Sequence, residues 1–327
     1  MGQGVTLAMK KEGILHELKR NRTLFLMILP AVLIVLVFSY IPLNGLVLAF
    51  KDFRYAKGIW GSPWNGFENF RFLFASGKGW QLTRNTILYN VVNLLISQGL
   101  ALVVAIVLSE MRGRRFKKTT QSIIFLPYFI SWIIVGAFVQ NIFNYETGTL
   151  NNLLTSLGME PINMYAIPAA WFIVIIFFNS WKWVGYNSVI YIAAAAGPGP
   201  AGIVWPAVAG LDRECFEAAD IDGANIWQKI RYITIPGIKP TLIIIFLLNL
   251  GKVLRGDFQM FYQIIGMNGQ LYDITDVIDT YVFRSLLSGT DMGMTAAATL
   301  YQSVMCFVII NIANAVVKKI DPDYALF

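Results

Sequence analysis

Histidine and cysteine are nearly absent from this chain: His16 is the only histidine, and Cys215 and Cys306 are the only cysteines. No CxxC pair or Cys/His grouping occurs, which excludes a conventional structural zinc site and suits two free thiols. Charge is scarce as well, at 14% of residues. No G-x-x-x-x-G-K-[ST] stretch is present, so the chain lacks the loop that cradles ATP phosphates. The apolar runs carry no clustered Ser/His, paired acids or metal ligands of the kind a membrane hydrolase needs. The chain therefore reads as non-catalytic and without a cofactor of its own.

What fills the sequence is apolar surface: 56% of residues are hydrophobic. Runs able to cross a bilayer need about 20 residues each. Six qualify, at Leu24–Phe50, Thr86–Leu108, Gln121–Phe143, Ile167–Ala193, Thr241–Ile265 and Met292–Val317. The first has basic flanks but is too long for a signal peptide and lacks a small-residue cleavage site, so it is expected to stay as an anchor. The fold class is thus an all-α integral membrane protein with six transmembrane helices. Residues 1–22 form an N-terminal tail, 23–320 the transmembrane domain and 321–327 a C-terminal tail.

Basic residues set the orientation. One side carries Lys10, Lys11, Lys19, Arg20 and Arg22, then Arg112, Arg114, Arg115, Lys117 and Lys118, then Arg213, Lys229, Arg231 and Lys239, and finally Lys318 and Lys319. The other carries Lys51, Arg54, Lys57, Arg71, Lys78 and Arg84 in its first loop, none in the second (144–166), and Arg284 in the third. Both termini are expected in the cytoplasm, and the net charge of +7 needs no nucleic-acid partner.

The most informative segment is 211–236, between two apolar runs on the basic side. Leu211-Asp212 offers an Asp N-cap, and Arg213 to Ile221 is free of Gly and Pro. Gly223 can take the left-handed conformation that ends a helix. Asn225 can cap a second helix from Ile226 to Ile235, which Pro236 and Pro240 are expected to stop. Two short helices at an angle make a rigid cytoplasmic knob suited to a soluble partner. Alternatively the segment is an interfacial helix without a partner.

Glu217-Ala218-Ala219, three residues, Gly223, nine residues, then Ile233-Thr234-Ile235-Pro236 resembles the loop of permease subunits of bacterial ATP-binding-cassette importers. Asp220-Ile221-Asp222-Gly223-Ala224 is similar to the carbohydrate branch. Ile235 stands where Leu is usual. Gly66-Phe67-Glu68-Asn69-Phe70 and the loop Asp276 to Arg284 also resemble sugar-importer permeases, the latter those for polysaccharide and uronate oligosaccharide fragments, alginate-type included. The resemblance implies a cytoplasmic-membrane subunit that passes ATPase motion through Phe216, Glu217, Ala218, Ala219, Asp222, Gly223 and Pro236. It implies a second, related permease chain, two nucleotide-binding subunits that hold the ATP and Mg2+, an extracytoplasmic solute-binding protein and an oligosaccharide substrate, with membrane lipid around the spans.

For the solute path, the fourth run offers Trp181, Lys182, Trp183, Tyr186 and Asn187, with Asn179 nearby, a mixed polar and aromatic face. An intramembrane lysine faces protein or water, so Lys182 either lines the path or is a satisfied bundle residue. In the fifth run Lys252 and Arg255, three apart on a helix, share a face that could hold an anionic solute or pair with Asp257. The aromatics of the first outer loop, Trp60, Trp64, Phe67, Phe70, Phe72, Phe74 and Trp80, suit an interfacial belt or a docking surface for an external protein. The Gly/Pro-rich insertion 194–208, containing Gly197-Pro198-Gly199-Pro200, is expected to break the span near Gly197. A self-sufficient carrier or channel is the competing class, but no internal repeat supports it.

Overall fold

The computed structural model describes residues 20–111, 113–195, 213–289 and 292–326. The N-terminal tail up to Lys19, Arg112, the Gly/Pro insertion and the Asp212 cap lie outside them.

All six apolar runs are helical in whole or in part. Helix α1 (Arg22–Val35) runs through a π-helical turn and a 3-10 segment to Phe50; of these residues Ala49 alone is buried. Three short elements follow, Tyr55–Lys57, Gly58–Gly61 and α2 (Glu68–Ala75). Helix α3 (Lys78–Glu110) starts eight residues before the expected run. The sequence hides that extension because its first turns are polar. Gln81 and Asn85 there donate to the backbone carbonyls of Tyr272, Asp273 and Asp276, partners distant in sequence.

The third run is not one straight helix. Helix α4 (Arg114–Phe125) ends in a 3-10 turn, Leu126–Phe129, and α5 (Trp132–Phe143) leaves at 90°. Pro127 has no N–H to continue the ladder, and the Ser131 side chain caps the new start by accepting from the Ile134 N–H at 3.4 Å. The short α6 (Thr149–Ser156) leads to α7 (Pro168–Ala195), a continuous helix of 28 residues. At about 1.5 Å per residue α7 is long enough to cross a bilayer; Asn179, Ser180, Lys182 and Asn187 lower its apolarity.

The knob helices α8 (Arg213–Ile221) and α9 (Ile226–Lys229) precede α10 (Ile235–Leu250). The fifth run is broken too: α10 ends at Leu250 and α11 (Phe258–Ile265) begins after a non-helical stretch. The short α12 (Ile278–Ser288) and the long α13 (Met292–Ile320) follow. Among the described residues three helical stretches, Arg22–Phe50, Lys78–Leu108 and Met292–Ile320, are long and apolar enough to cross a membrane, and the two bent pairs raise this to five. No strand occurs among the described residues beyond an isolated bridge between Lys51 and Trp64.

α3 and α7 pack along much of their length. The main core joins α3, α5, α7 and α11 through Tyr89, Trp132, Val135, Trp171, Ile175 and Phe261. A second core, around Leu82, Leu254, Ile278 and Cys306, ties α12 and α13 to the fifth-run break. Two glycines permit close approaches between helices distant in sequence. A Cβ on Gly136 of α5 would lie 2.4 Å from the Gln263 carbonyl oxygen of α11, and one on Gly185 of α7 would lie 2.1 Å from that of Ile124 in α4.

Candidate coupling knob and solute path

The knob forms as its spacing predicts, up to its last residue. Gly223 sits at φ 73°, and the Ala224 and Gly223 N–H groups donate back to the carbonyls of Ala219 (2.9 Å) and Asp220 (3.2 Å). This is the Schellman arrangement that satisfies a helix's last carbonyls. Asn225 then opens α9 with a capping box: its side chain accepts from the Gln228 N–H at 3.0 Å, and Gln228 accepts from the Asn225 N–H at 2.7 Å. Lys229 pairs with Asp220, fastening the two helices across the turn.

Glu217, Ala218 and Asp222 are exposed, while Phe216 and Ala219 are half-buried. The sequence reading missed the apolar surface beside them: Ile221, Trp227 and Tyr232 are 87%, 76% and 69% exposed. Three large apolar side chains so bare on one small element are unusual for a solvated surface. Their signal was present, since apolar residues on two short, otherwise polar helices have no core of their own to fill.

Pro236 does not stop the helix. The chain passes through a π-helical turn at Ile230–Thr234 and continues as α10 to Leu250, with a bend of 47° between its parts at Pro240. The wider turn relieves the clash a proline makes with the preceding carbonyls. The knob is therefore joined to the fifth span by continuous helix.

The two span breaks hold most of the residues expected along the solute path, in different roles. Lys182 is 6% exposed. Its ammonium donates to the carbonyls of Tyr128 (3.0 Å) and Ile130 at the break between α4 and α5, and lies 3.5 Å from that of Pro127, which also accepts from the Ile130 N–H. An ammonium has three N–H donors, so Lys182 has none left for a solute. These contacts fit the second of the two readings, a satisfied bundle residue. Tyr186 stacks on Tyr128 at 4.5 Å and Trp183 meets both edge-on. Trp181 packs against the main core, Asn179 turns to Ser97 of α3 at 3.2 Å, and Asn187 is half-buried. Trp183 and Tyr186 alone of the expected face share an aromatic cluster.

At the second break the expected shared helix face of Lys252 and Arg255 does not exist, because both lie in the non-helical stretch. The freed groups there are satisfied from other helices, as a low-dielectric setting requires. Asn90 of α3 donates to the Val253 carbonyl at 2.9 Å, Gln302 of α13 to that of Leu254, and Asp279 accepts from the Gly256 N–H at 2.7 Å. Asp257 pairs with neither cation. It caps α11 by accepting from Met260 N–H at 3.1 Å and accepts from the Trp132 indole at 2.9 Å. Lys252 and Arg255 are exposed, and no side-chain hydrogen bond or ion pair among the described residues engages them.

Residues 99–322 match the family described as binding-protein-dependent transport system inner membrane component. The chain belongs to this family. It is similar to Protein LplB of Bacillus subtilis, 32% identical with 94% of this chain and 92% of LplB covered. It is also similar to the polygalacturonan/rhamnogalacturonan transport system permease protein YteP of the same organism, 29% identical over 96% and 93%. Among solved structures it resembles a chain of a bacterial ABC transporter involved in the import of the acidic polysaccharide alginate. There the TM-score is 0.81 at 30% identity, covering 95% of this chain and 100% of that one. A second structure of that kind, an alginate transporter in complex with an alginate pentasaccharide-bound periplasmic protein, has a TM-score of 0.80 at 30% identity, covering 94% and 98%.

In this inner-membrane, multi-pass permease the loop between the first and second apolar runs is organised by two buried polar residues. Asn69, from the Gly66–Phe70 segment, donates to the carbonyls of Ala49 (2.9 Å) and Lys51 (3.0 Å), pinning α2 to the end of the first span. Lys51 is buried and donates to the carbonyls of Ile59 and Trp60 at 2.9 and 3.0 Å beneath the exposed Trp60 and Trp64 rings. On the far side of that loop region Asp276, fully buried, pairs with Lys78 (3.1 Å) and Arg284 (2.6 Å).

Proposed function

We propose that the chain is the permease subunit of an ATP-driven importer that passes oligosaccharides, acidic ones by preference, from a solute-binding protein across the cytoplasmic membrane. Six spans follow from the apolar runs, and both termini and the knob inside from the basic-residue asymmetry. A second permease chain encloses the path, and two ATPase subunits, which carry the ATP and Mg2+, each receive one knob. The observation that carries the reading is the knob itself: a doubly capped, ion-paired element with Ile221, Trp227 and Tyr232 bare, continuous with a membrane span. An ATPase groove lined with apolar side chains fits that surface.

The preference for acidic solutes is supported by Lys252 and Arg255, exposed at a break in a span and without a side-chain hydrogen bond or ion pair among the described residues, although Arg255 also feels the Asp279 carboxylate; a low dielectric strengthens attraction for an anion there. The structural likeness to the alginate importer and the sequence likeness to YteP point the same way. Lys182 does not contribute contacts, since its donors are engaged. The test is uptake into proteoliposomes holding the full complex with its binding protein. The paired change Lys252→Gln and Arg255→Gln is expected to impair uptake of a uronate oligosaccharide while assembly and basal ATPase activity persist. Unchanged uptake would remove the charge preference, and a complex that hydrolyses ATP without importing any oligosaccharide would remove the importer reading.

A further inference from the structure

We propose that Lys182, Trp132 and Asp257 form a latch that makes the two broken spans move as one body during transport, with Lys182 as a positioning residue rather than a solute contact. The inference rests on the transport reading for its functional consequence but not for its geometry.

The three residues join three helices at one point. Lys182 reaches from α7 to the carbonyls at the α4–α5 break. Its ammonium also lies 5.3 Å from the centre of the Trp132 ring, over a π face that attracts cations. Trp132 is the first residue of α5 and is 5% exposed. Its indole N–H donates at 2.9 Å to one Asp257 oxygen, while the other Asp257 oxygen caps the start of α11. Each break thus restarts as a helix at a residue tied to the other. One carboxylate serves the N-terminus of α11 directly and stands beside that of α5, where a negative charge is favoured. The ammonium supplies the opposite charge, so the buried set is balanced.

Below the latch, α5 and α11 lie side by side with Gly136 against the Gln263 backbone. Such contact leaves no room for the half-helices to slide without separating. A half-span that can be moved only with its neighbour transmits a displacement of α10, and hence of the knob, to both breaks together. A break held only by its own local bonds would not.

Trp132→Phe keeps a ring for Lys182 to rest on and removes the indole donor together with part of a buried core ring, so it is read beside Asp257→Asn, which keeps the core volume. Spin labels at Ile133→Cys in α5 and Met267→Cys just beyond α11, both exposed positions, in a Cys215→Ser background, report the separation of the half-spans in the assembled transporter. With the latch intact the distance distribution is expected to keep one narrow peak with and without nucleotide. In Trp132→Phe it should broaden or split on nucleotide addition, and solute imported per ATP should fall roughly ten-fold, the scale of one hydrogen bond to a charged group. Asp257→Asn, which leaves a single accepting oxygen for two donors, is the second variant should Trp132→Phe fail to assemble, and it should give the same signature. A single unchanged peak together with wild-type import per ATP overturns the latch. So does a loss of solute affinity with the peak unchanged, which would make this cluster a solute contact. The label distances require no solute, so a failure of the importer reading leaves this test decisive.

Discussion

Gly185→Ala is the sharpest test of how the first break is held, because one methyl group meets backbone on a neighbouring helix. A Cβ there would lie 2.1 Å from the Ile124 carbonyl oxygen, 2.6 Å from its carbon and 2.9 Å from the Phe125 Cα. To reach ordinary contact near 3.4 Å, α4 must retreat by roughly 1.3 Å, more than side-chain rearrangement absorbs in a packed interior. Overpacking of this kind costs about 1–3 kcal/mol. The same retreat draws Tyr128 off Tyr186 and stretches the bonds from Lys182, one turn away on α7. Gly99→Ala is the matched control: it is also a helix-interior glycine, in α3, and has nothing within 4 Å of its Cβ. That change should gain up to about 1 kcal/mol from helix propensity alone. The assay is the fraction of intact transporter, by size-exclusion chromatography, after stepped heating in detergent. Gly185→Ala should lose assembly several degrees below wild type, and Gly99→Ala at or above it. Equal behaviour of the two variants would refute the close approach of α7 and α4.

Two further changes test other parts of the fold. Gly223→Ala meets nothing within 4 Å, so its cost is conformational, about 1–2 kcal/mol for an L-residue held at φ 73°; co-purification of the ATPase should weaken while the heat stability of the spans is unchanged, and undiminished co-purification would mean that the turn does not shape the docking surface. Asn69→Ala strips donors from the Ala49 and Lys51 carbonyls and should raise protease sensitivity of the loop between the first and second spans without loss of ATPase binding; unaltered digestion would show that the loop is held by its other contacts.

The knob was legible because its signals are local. A capping asparagine, a glycine break and the Glu-Ala-Ala spacing all lie within about two dozen residues, and each specifies a backbone state by itself. The same holds for the existence of the apolar runs. Pro236 misled because a proline constrains only its own turn, and a π-helical turn just before it restores the path. The stop at Pro236 and the helical face of Lys252 and Arg255 are thus errors of one type, since regular geometry was extended through, or ended at, a position where the chain departs from it.

The breaks themselves were not legible, and the reason is where their compensation comes from. The carbonyls freed near Tyr128 are met by a side chain 54 residues away, and that of Val253 by one 163 residues away. No window of the sequence contains both halves of such a bond. A lysine in an apolar helix announces only that oxygen acceptors face it. Carbonyls at a broken helix and the hydroxyls or carboxylates of a sugar present the same acceptors, so both readings of Lys182 were chemically sound. What separates them is donor count: three carbonyls already meet three N–H groups. Lys252 and Arg255 came from the same class of observation and meet no such set. A membrane cation whose donors are exhausted by backbone therefore marks a break in the neighbouring span, and one whose donors remain open is where a solute contact is to be sought.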